Sequence, residues 1–267
     1  MNDFLTRSFS GLVYAFLIIF SLIISDFFFS TIILIFTLLA LVEFQRIIKF
    51  KNPIPYIFLI SIFIYLLSNN YKTNISALIL VFSLLTNIYL TYDLFYNKIN
   101  TAFNLEKLFL PIFYISGSSC FIILTQKVFP EFLYWVTFYF FTIIWINNSF
   151  AYIIGKNFGK NLLFKKISPK KTWEGFLGGL VFTVFVAIIF CLYKSSFSLF
   201  FYIFIGILIA VLSTIGDLIQ SKFKRQANVK DSGSLIPGHG GFFDRMDSVI
   251  FSSPWFFFIT NINQYVS

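Results

Sequence analysis

Residues 175–193 read GFLGGLVFTVFVAIIFCLY, a stretch without a single charged residue. A helix of about 17 to 25 apolar residues crosses the ~30 Å hydrocarbon core of a bilayer, so this stretch predicts a transmembrane helix. The whole chain is similar, because 58% of its 267 residues are hydrophobic and only 12% are charged. No soluble globule buries that much apolar surface, which excludes a soluble enzyme, a disordered chain and a disulfide scaffold.

Eight further apolar runs flank this one, and together they predict an all-α, polytopic integral membrane protein with about nine transmembrane helices. The runs cover roughly residues 8–25, 27–44, 53–69, 76–92, 107–125, 131–150, 175–193, 197–217 and 248–264. The first run is long and is not followed by a small-residue cleavage site, so we expect a retained helix rather than a signal peptide. No repeat or linker divides residues 1–267, which predicts a single membrane domain.

The basic residues predict the direction in which the chain crosses the membrane, because cytoplasmic segments are enriched in Lys and Arg. With the N-terminus inside, 17 of the 20 Lys and Arg residues fall in inside segments, and only Lys72, Lys127 and Lys194 fall outside. The sequence therefore predicts a cytoplasmic N-terminus and a C-terminus outside. Since the basic residues lie in short loops between apolar runs, we expect no nucleic-acid binding.

Two predicted cytoplasmic segments, at about 151–174 and 218–247, are longer and more polar than the others. If the rim of the eighth span is included, they carry five of the eleven acids: Glu174, Asp217, Asp231, Asp244 and Asp247. They also carry the only histidine, His239, for which a solvated loop position and a functional role are both open. These segments are therefore where we expect the chemistry.

The acids of the second segment have the spacing of a cation site. Asp217 ends an apolar run, so its carboxylate should face a cavity, a cation or water. If the helix continues past Asp217, Ser221 and Lys224 lie about one and two turns further along nearly the same face. Asp244 and Asp247 are three residues apart and share one side of a helical turn. Mg²⁺ usually takes one or two carboxylates and completes its shell with water and substrate phosphates.

The same segments offer groups that bind anions. Pro237-Gly238-His239-Gly240-Gly241 forbids a regular helix and permits positive φ, so its N–H groups can form an anion-binding concavity. Ser168-Pro169 predicts a helix start that aims the lysines and threonine of 170–172 at an anion. The glycines of 175–179 suit tight helix packing as well as a functional role. Carboxylates beside cations and free N–H groups indicate phosphoryl or nucleotidyl transfer.

Several motifs, in this order and spacing, resemble the signature of the phosphatidate cytidylyltransferase family, also called CDP-diacylglycerol synthases. Downstream they are Ser221-x-x-Lys224-Arg225, Lys230-Asp231, Pro237-Gly238-His239-Gly240-Gly241 and Asp244-Arg245-x-Asp247-Ser248. Upstream they are Ala151-Tyr152-x-x-Gly155, Ser168-Pro169-x-Lys171-Thr172-x-Glu174-Gly175 and Gly216-Asp217-Leu218. The resemblance divides the domain into a hydrophobic multi-span region, 1–144, and a signature-bearing catalytic region, 145–267.

The resemblance implies an enzyme that joins CTP and phosphatidic acid to give CDP-diacylglycerol and pyrophosphate with Mg²⁺, with another divalent ion or an additional monovalent cation as alternatives. It implies that the catalytic residues are Asp217, Lys224, Arg225, Asp231, His239, Asp244, Arg245 and Asp247. It implies that the substrate-binding residues are Ser168, Lys171, Thr172, Glu174, Ser221, Lys230, Gly238, Gly240 and Gly241. The metal ligands would be Asp217 and Asp244 first, with Asp247 and Asp231 next; Lys171, Lys224, Arg225, Lys230 and Arg245 would hold phosphates.

The chain departs from the family pattern at Asn148, where an acid is usual before Ala-Tyr, and at Gln220, where Glu is usual. Each change removes a negative charge near the expected site. The excess of Phe, Ile, Asn and Lys resembles proteins of AT-rich bacterial genomes. With the predicted topology and the family resemblance, it leads us to expect a multi-pass protein of the bacterial inner (cytoplasmic) membrane with its active site on the cytoplasmic side. A CTP-dependent lipid kinase, a synthase for another lipid phosphate and a transporter are the alternatives, and a homodimer is left open.

Overall fold

The described part of the chain is helical apart from connecting segments and one short hairpin. The computed structural model describes residues 3–67, 74–96, 104–128, 134–194, 197–233 and 240–266. Its helices are α1 (Asp3–Ile24), α2 (Asp26–Ile47), α3 (Ile54–Leu67), α4 (Asn74–Tyr96), α5 (the consecutive pieces Asn104–Phe109, Leu110–Gly117 and Ser118–Val128), α6 (Trp135–Phe158), α7 (Trp173–Tyr193), α8 (Leu199–Gln226) and α9 (Phe243–Val266). Between α6 and α7 lie two antiparallel strands, β1 (Leu162–Phe164) and β2 (Ser168–Thr172).

For each of the nine predicted apolar runs, most of the described residues lie on one of these helices. Six helical stretches are long and apolar enough to cross a membrane: Asp26–Ile47, Asn74–Tyr96, Lys107–Lys127, Trp135–Phe158, Trp173–Tyr193 and Leu199–Gln226. Ser10–Ile24 and Ile54–Leu67 are shorter apolar helices. The prediction of an all-α, polytopic membrane protein is thus confirmed, while the number of spans and their direction stay predictions.

Helix α7 shows how the fold separates lipid-facing from buried positions. Leu177, Val181, Phe185 and Ile189 recur every fourth residue and are each more than half exposed, as suits a surface against lipid acyl chains. The small residues Gly175, Gly179, Thr183 and Ala187 form the buried stripe. Small side chains let membrane helices approach closely.

The glycines of this stripe bring α7 against α6. A Cβ at Gly175 would lie 2.5 Å from the Ala151 carbonyl oxygen, and one at Gly179 would lie 2.5 Å from Asn147 Oδ1. A Cβ at Gly178 would overlap the Ile154 side chain. Tight helix packing, one of the two interpretations of these glycines, is therefore confirmed.

The prediction that a helix begins at Ser168-Pro169 is wrong. Residues 168–172 form β2, which pairs with β1 through Leu162 opposite Thr172 and Phe164 opposite Ser168. These backbone groups join the hairpin ladder instead of opening a helical turn. The helix begins at Trp173, where the N-cap Thr172 accepts a hydrogen bond from the Gly175 amide through its side chain.

Helices α6, α8 and α9 extend beyond their apolar runs into the two polar segments, so parts of these predicted segments are helical. Helix α6 continues to Phe158, α8 continues to Gln226, and α9 begins at Phe243. Hydropathy marks only the part of a helix that suits lipid, whereas the backbone hydrogen bonds continue into polar sequence. The conditional prediction that the eighth helix continues past Asp217 is confirmed.

An aromatic cluster joins the N-terminal helices to the two helices that carry the signature acids. The Phe44 ring of α2 lies 5.2 Å from that of Phe223 on α8 and 5.3 Å from that of Phe243 on α9. The Tyr114 ring of α5 lies 6.0 Å from that of Phe44. Edge-to-face pairs at these distances add to the burial of the rings themselves. The cluster fixes α2 against the first turn of α9.

Candidate active site

Helix α8 presents the first group of predicted site residues on one face. Asp217 accepts a hydrogen bond from Ser221 Oγ, one turn later, at 3.3 Å. On its other oxygen, Asp217 Oδ2 lies 2.7 Å from Lys171 Nζ at the end of β2. The expected alignment of Asp217, Ser221 and Lys224 is present, and the hairpin adds a lysine to it.

Asp244, in the first turn of α9, has an almost fully occupied carboxylate. Its Oδ1 accepts from Lys224 Nζ and from Gln220 Nε2, each at 2.7 Å. Its Oδ2 accepts from the Ser232 amide and hydroxyl, both at 2.8 Å, and from the Gly241 amide at 3.0 Å. Two oxygens offer about four lone-pair sites, so little capacity is left for a metal ion.

Gly240 makes this arrangement sterically feasible. Its φ is +84°, in the region that favours glycine, and a Cβ there would lie 2.6 Å from Asp244 Oδ2. The sequence of this loop permits positive φ, and Gly240 adopts it, while the Gly241 amide donates to Asp244. The preceding Pro237, Gly238 and His239 lie outside the described residues.

Asp247, one turn further along α9, has a contrasting environment. Its side chain is buried and accepts from the Ser248 amide. None of the ion pairs in the described part of the chain involves Asp247. The charged group with the largest effect on its pKa is Asp217, another carboxylate. Asp217 is only partly buried and pairs with Lys171, so the negative charge of the buried Asp247 is the one without an ion pair.

The pKa shifts of these two carboxyls, which precede the apolar stretch beginning at residue 248, have opposite signs. Burial raises the pKa of Asp244, but the Lys224 ammonium and the amide donors lower it further, so its pKa lies below the ordinary value. Burial, followed by the negative charge of Asp217, raises the pKa of Asp247 above its ordinary value. Asp244 is therefore stabilised as an anion by the protein itself, and Asp247 is not.

Asp217, Asp244 and Asp247 share a cavity of about 600 Å³ between α6, the hairpin, α7, α8 and α9. Its lining residues are Asn148, Ala151, Tyr152, Lys156, Leu163, Lys170, Lys171, Thr172, Phe176, Thr214, Asp217, Asp244, Arg245 and Asp247. Four cationic side chains thus surround the acids, and Leu163 and Phe176 add an apolar wall. Arg245 Nε is buried without a hydrogen-bond partner in the described part of the protein. A buried, unpaired guanidinium N–H favours binding of an anion.

Other predicted site residues support the cavity from outside. Glu174 accepts from the Lys160 and Asn161 amides and so holds the turn that leads into β1. Arg225 Nε donates to the Ile167 carbonyl at 3.3 Å, which ties α8 to the hairpin. The remaining described residues of the prediction that do not line the cavity are Ser168, Ser221, Lys224, Lys230, Asp231, Gly240 and Gly241. Lys230 and Asp231 are exposed.

Two features of the site differ from what the sequence suggested. Gln220, one of the two departures from the family pattern, donates its amide to Asp244 rather than facing the cavity as a ligand. Lys156 and Thr214 line the cavity, although the sequence analysis did not single them out. Asn148, the other departure, does lie in the cavity wall, where its Oδ1 accepts from Ser213 Oγ at 3.2 Å.

The donor set fits a hard divalent cation that takes few protein ligands. Among the described residues, no group of three or more His, Cys, Asp or Glu side chains is close enough to hold a metal ion. Mg²⁺ needs only one or two carboxylates when water and substrate phosphates complete its shell. Asp217 and Asp247 supply that number and have a charge excess that a cation would relieve.

Several known proteins are similar to part of this chain. Phosphatidate cytidylyltransferase of Bacillus subtilis strain 168 is 43% identical over 123 residues, which are 46% of this chain and 46% of that protein. The enzymes of the same name from Aquifex aeolicus and Haemophilus influenzae are 45% and 41% identical, over 43% and 44% of this chain and 43% of each relative. The matched stretch spans less than half the length of these relatives.

A family model extends the similarity over nearly the whole chain. The model of the family described as Cytidylyltransferase matches residues 5–263. The match includes the N-terminal helices as well as the motifs around the cavity. The chain therefore belongs to the cytidylyltransferase family.

Proposed function

We propose that this protein transfers the cytidylyl group of CTP to phosphatidic acid, giving CDP-diacylglycerol and pyrophosphate. The observation that carries the proposal is the cavity that joins Asp217 and Asp247 to four cationic side chains, one of which has a buried, unpaired N–H. Carboxylates that attract a divalent cation, with cations that attract phosphates, are what two anionic reactants require. The names of the relatives supply the identity of the reactants.

The reaction needs little proton chemistry from the protein. A phosphate oxygen of phosphatidic acid attacks the α-phosphorus of CTP and forms a new P–O bond. The bond between the α-phosphorus and the bridging oxygen breaks, and its electron pair leaves with pyrophosphate. Because the attacking phosphate is already an anion, we assign no general base.

The chain's own residues orient and neutralise the reactants. Mg²⁺, bound by Asp217 and Asp247, would supply positive charge to the phosphates of CTP. Lys171 and Arg245 contact phosphate oxygens in this proposal, and Lys156 and Lys170 attract the anionic reactants to the cavity mouth. Lys224 acts through Asp244, whose carboxylate it holds. The prediction that Asp244 is itself a metal ligand is less favoured by its occupied oxygens.

In this proposal, the cavity lies at the membrane surface. The charged ends of α6, α8 and α9 surround it, whereas the flanking helices expose apolar residues. With the N-terminus inside, this end of the molecule faces the bacterial cytoplasm, where CTP is available, and lipid enters from the bilayer. A cysteine introduced at the exposed Lys165 should react with a membrane-impermeant reagent only in inside-out vesicles. The proposal does not depend on whether the protein is a homodimer.

The test is to incubate the purified protein in detergent with phosphatidic acid, Mg²⁺ and CTP that carries its label on either the α- or the γ-phosphate. We expect the α-label in the lipid and the γ-label in pyrophosphate. A lipid kinase would place the γ-label in the lipid and release CDP. Absence of labelled lipid across a wide Mg²⁺ range, with other lipid phosphates also inactive, would contradict the proposal.

A further inference from the structure

Glu43, near the end of α2, is a buried acid outside the cavity. Its exposed fraction is 0%. The ion pairs of the described residues all lie elsewhere, so no described cation compensates it. A buried carboxylate is costly unless hydrogen bonds satisfy it. The donors that surround Glu43 therefore indicate what it does.

The donors to Glu43 belong to the loop and helix that carry Asp244. The Phe242 amide donates to Glu43 Oε1 at 3.1 Å, and the Phe243 amide donates to Oε2 at 2.9 Å. These amides begin α9, where N–H groups have no partner within the helix. Phe242 is the N-cap, since its carbonyl accepts from the Arg245 and Met246 amides, but its apolar side chain has no oxygen to offer. Glu43 caps α9 in its place, from 199 residues away in sequence.

A serine extends the contact from Glu43 to the site. Ser232 Oγ lies 2.7 Å from Glu43 Oε2 and 2.8 Å from Asp244 Oδ2, and its hydroxyl can donate to either. Asp244 in turn binds Lys224. A chain of polar contacts therefore runs from the N-terminal helices to the cavity wall.

Two glycines leave room for the Glu43 carboxylate. A Cβ at Gly233 would lie 2.5 Å from Glu43 Oε1, and a Cβ at Gly241 would overlap Oε2. Neither glycine has a positive φ, so close approach rather than backbone conformation explains them. The neighbouring Phe44 ring packs on Phe243 and fixes the position from which Glu43 reaches the loop.

We propose that Glu43 is a positioning residue for cytidylyl transfer, whose carboxylate sets the position of the α9 N-terminus and, through Ser232, of Asp244 and Lys224. The inference rests on the proposed function for its kinetic consequence. It adds to the active site a residue from the N-terminal region that touches neither substrate nor metal. A displacement of about 1 Å in such supporting groups can lower turnover by roughly a hundredfold.

Two variants of Glu43 distinguish the need for hydrogen-bond acceptors from the need to fill space. Glu43→Gln keeps the size of the side chain but turns an amide donor toward backbone N–H groups. Glu43→Asp is smaller but keeps two acceptor oxygens. We expect kcat to fall roughly a hundredfold in Glu43→Gln, with little change in KM for either substrate, and to fall less in Glu43→Asp. A residue that merely fills space would give the reverse order.

The matched control is Thr37→Val on the same helix. Thr37 is also fully buried, but its hydroxyl donates to the Ile33 carbonyl inside α2 rather than to the loop. We expect wild-type turnover for this variant. Hydrogen exchange of residues 240–246 should accelerate in Glu43→Gln and stay unchanged in Thr37→Val, a readout that does not depend on activity.

The outcomes keep the two proposals distinguishable. Wild-type kcat and exchange in Glu43→Gln, or higher kcat in Glu43→Gln than in Glu43→Asp, would overturn the positioning role while leaving cytidylyl transfer intact. If wild-type protein makes no CDP-lipid, the proposed function fails, and unchanged exchange would then overturn the capping role separately. Should Glu43→Gln not fold, Ser232→Ala provides the test: we expect about a tenfold lower kcat, and wild-type kcat would count against the inference.

Discussion

Two neighbouring acidic regions differ in how fully protein donors satisfy their carboxylates. One is the cavity around Asp217 and Asp247, and the other is the cluster of Glu43, Ser232 and Asp244. In the cluster, protein donors occupy the carboxylates, and the carboxylates fill the space that the neighbouring glycines leave. In the cavity, Asp247 accepts from its neighbouring backbone and faces another acid. The difference teaches that acidic residues of one motif can have separate roles. The cluster, which we call the filled region, maintains the local structure. The cavity, which we call the unfilled region, attracts ligands.

The largest expected effect is in the unfilled region. Asp247→Asn should lower turnover by about 10³-fold, because it removes charge where a cation and phosphates meet. It should not lower the melting temperature in Mg²⁺-free buffer, since a buried anion beside Asp217 is replaced by a neutral group of the same shape. Turnover and thermal unfolding in detergent check both parts. The control is Asp26→Asn, which should behave as wild type, because Asp26 contacts Gln126 at another end of the bundle.

The next effect is in the filled region. Asp244→Asn should lower turnover by about 10²-fold and, unlike Asp247→Asn, should also destabilise the fold by about 2 kcal/mol, because Lys224 and the amide donors lose a charged acceptor. Denaturation in detergent micelles gives the free-energy change. If Asp244→Asn unfolded like the wild type while Asp247→Asn was destabilised, the distinction between the two regions would be wrong.

We expect a smaller effect at Gln220, whose side-chain amide donates to Asp244 in the cluster. Gln220→Glu would bring a second carboxylate to the place where the amide now lies 2.7 Å from Asp244 Oδ1. We expect a lower melting temperature without divalent cation, with part of the loss restored by Mg²⁺, because like charges in a buried site repel. A melting temperature equal to that of wild type in Mg²⁺-free buffer would show that the amide is not needed there.

The smallest effect concerns the other departure from the family pattern. Asn148→Asp adds a fourth carboxylate to the cavity wall, beside Asp217, Asp244 and Asp247. We expect the Mg²⁺ concentration for half-maximal activity to fall a few-fold, because added negative charge favours the cation. A Mg²⁺ titration of turnover measures it. An unchanged midpoint would mean that the amide serves as well as an acid.

Sequence patterns predicted the helices well because apolar runs report directly on lipid-facing and buried helices. They also placed Asp217, Lys224, Asp244 and Asp247 near one another, since helical spacing and motif order both constrain these residues. The start of α7 was misplaced because Ser168-Pro169 and Thr172 both suit a helix start, and only pairing with β1 decides between them. Local sequence does not encode that pairing.

The division of labour among the acids could not be predicted, because it depends on contacts across long sequence distances. Nothing near Asp244 reveals that Gln220 and Ser232 would occupy its oxygens. Glu43 was overlooked, although one signal was present: it is an ionisable residue inside the predicted span 27–44, and such residues are functional candidates by default. Its partners lie about two hundred residues away and emerge only from the fold.

The most direct test of the central claim compares wild type, Asp247→Asn and Asp26→Asn for transfer of α-labelled cytidylyl from CTP to phosphatidic acid with Mg²⁺. The account predicts labelled CDP-lipid from wild type and Asp26→Asn, and almost none from an Asp247→Asn protein that melts no earlier than wild type. Labelled CDP-lipid formed by Asp247→Asn at the wild-type rate would contradict the claim that this cavity is where the transfer occurs.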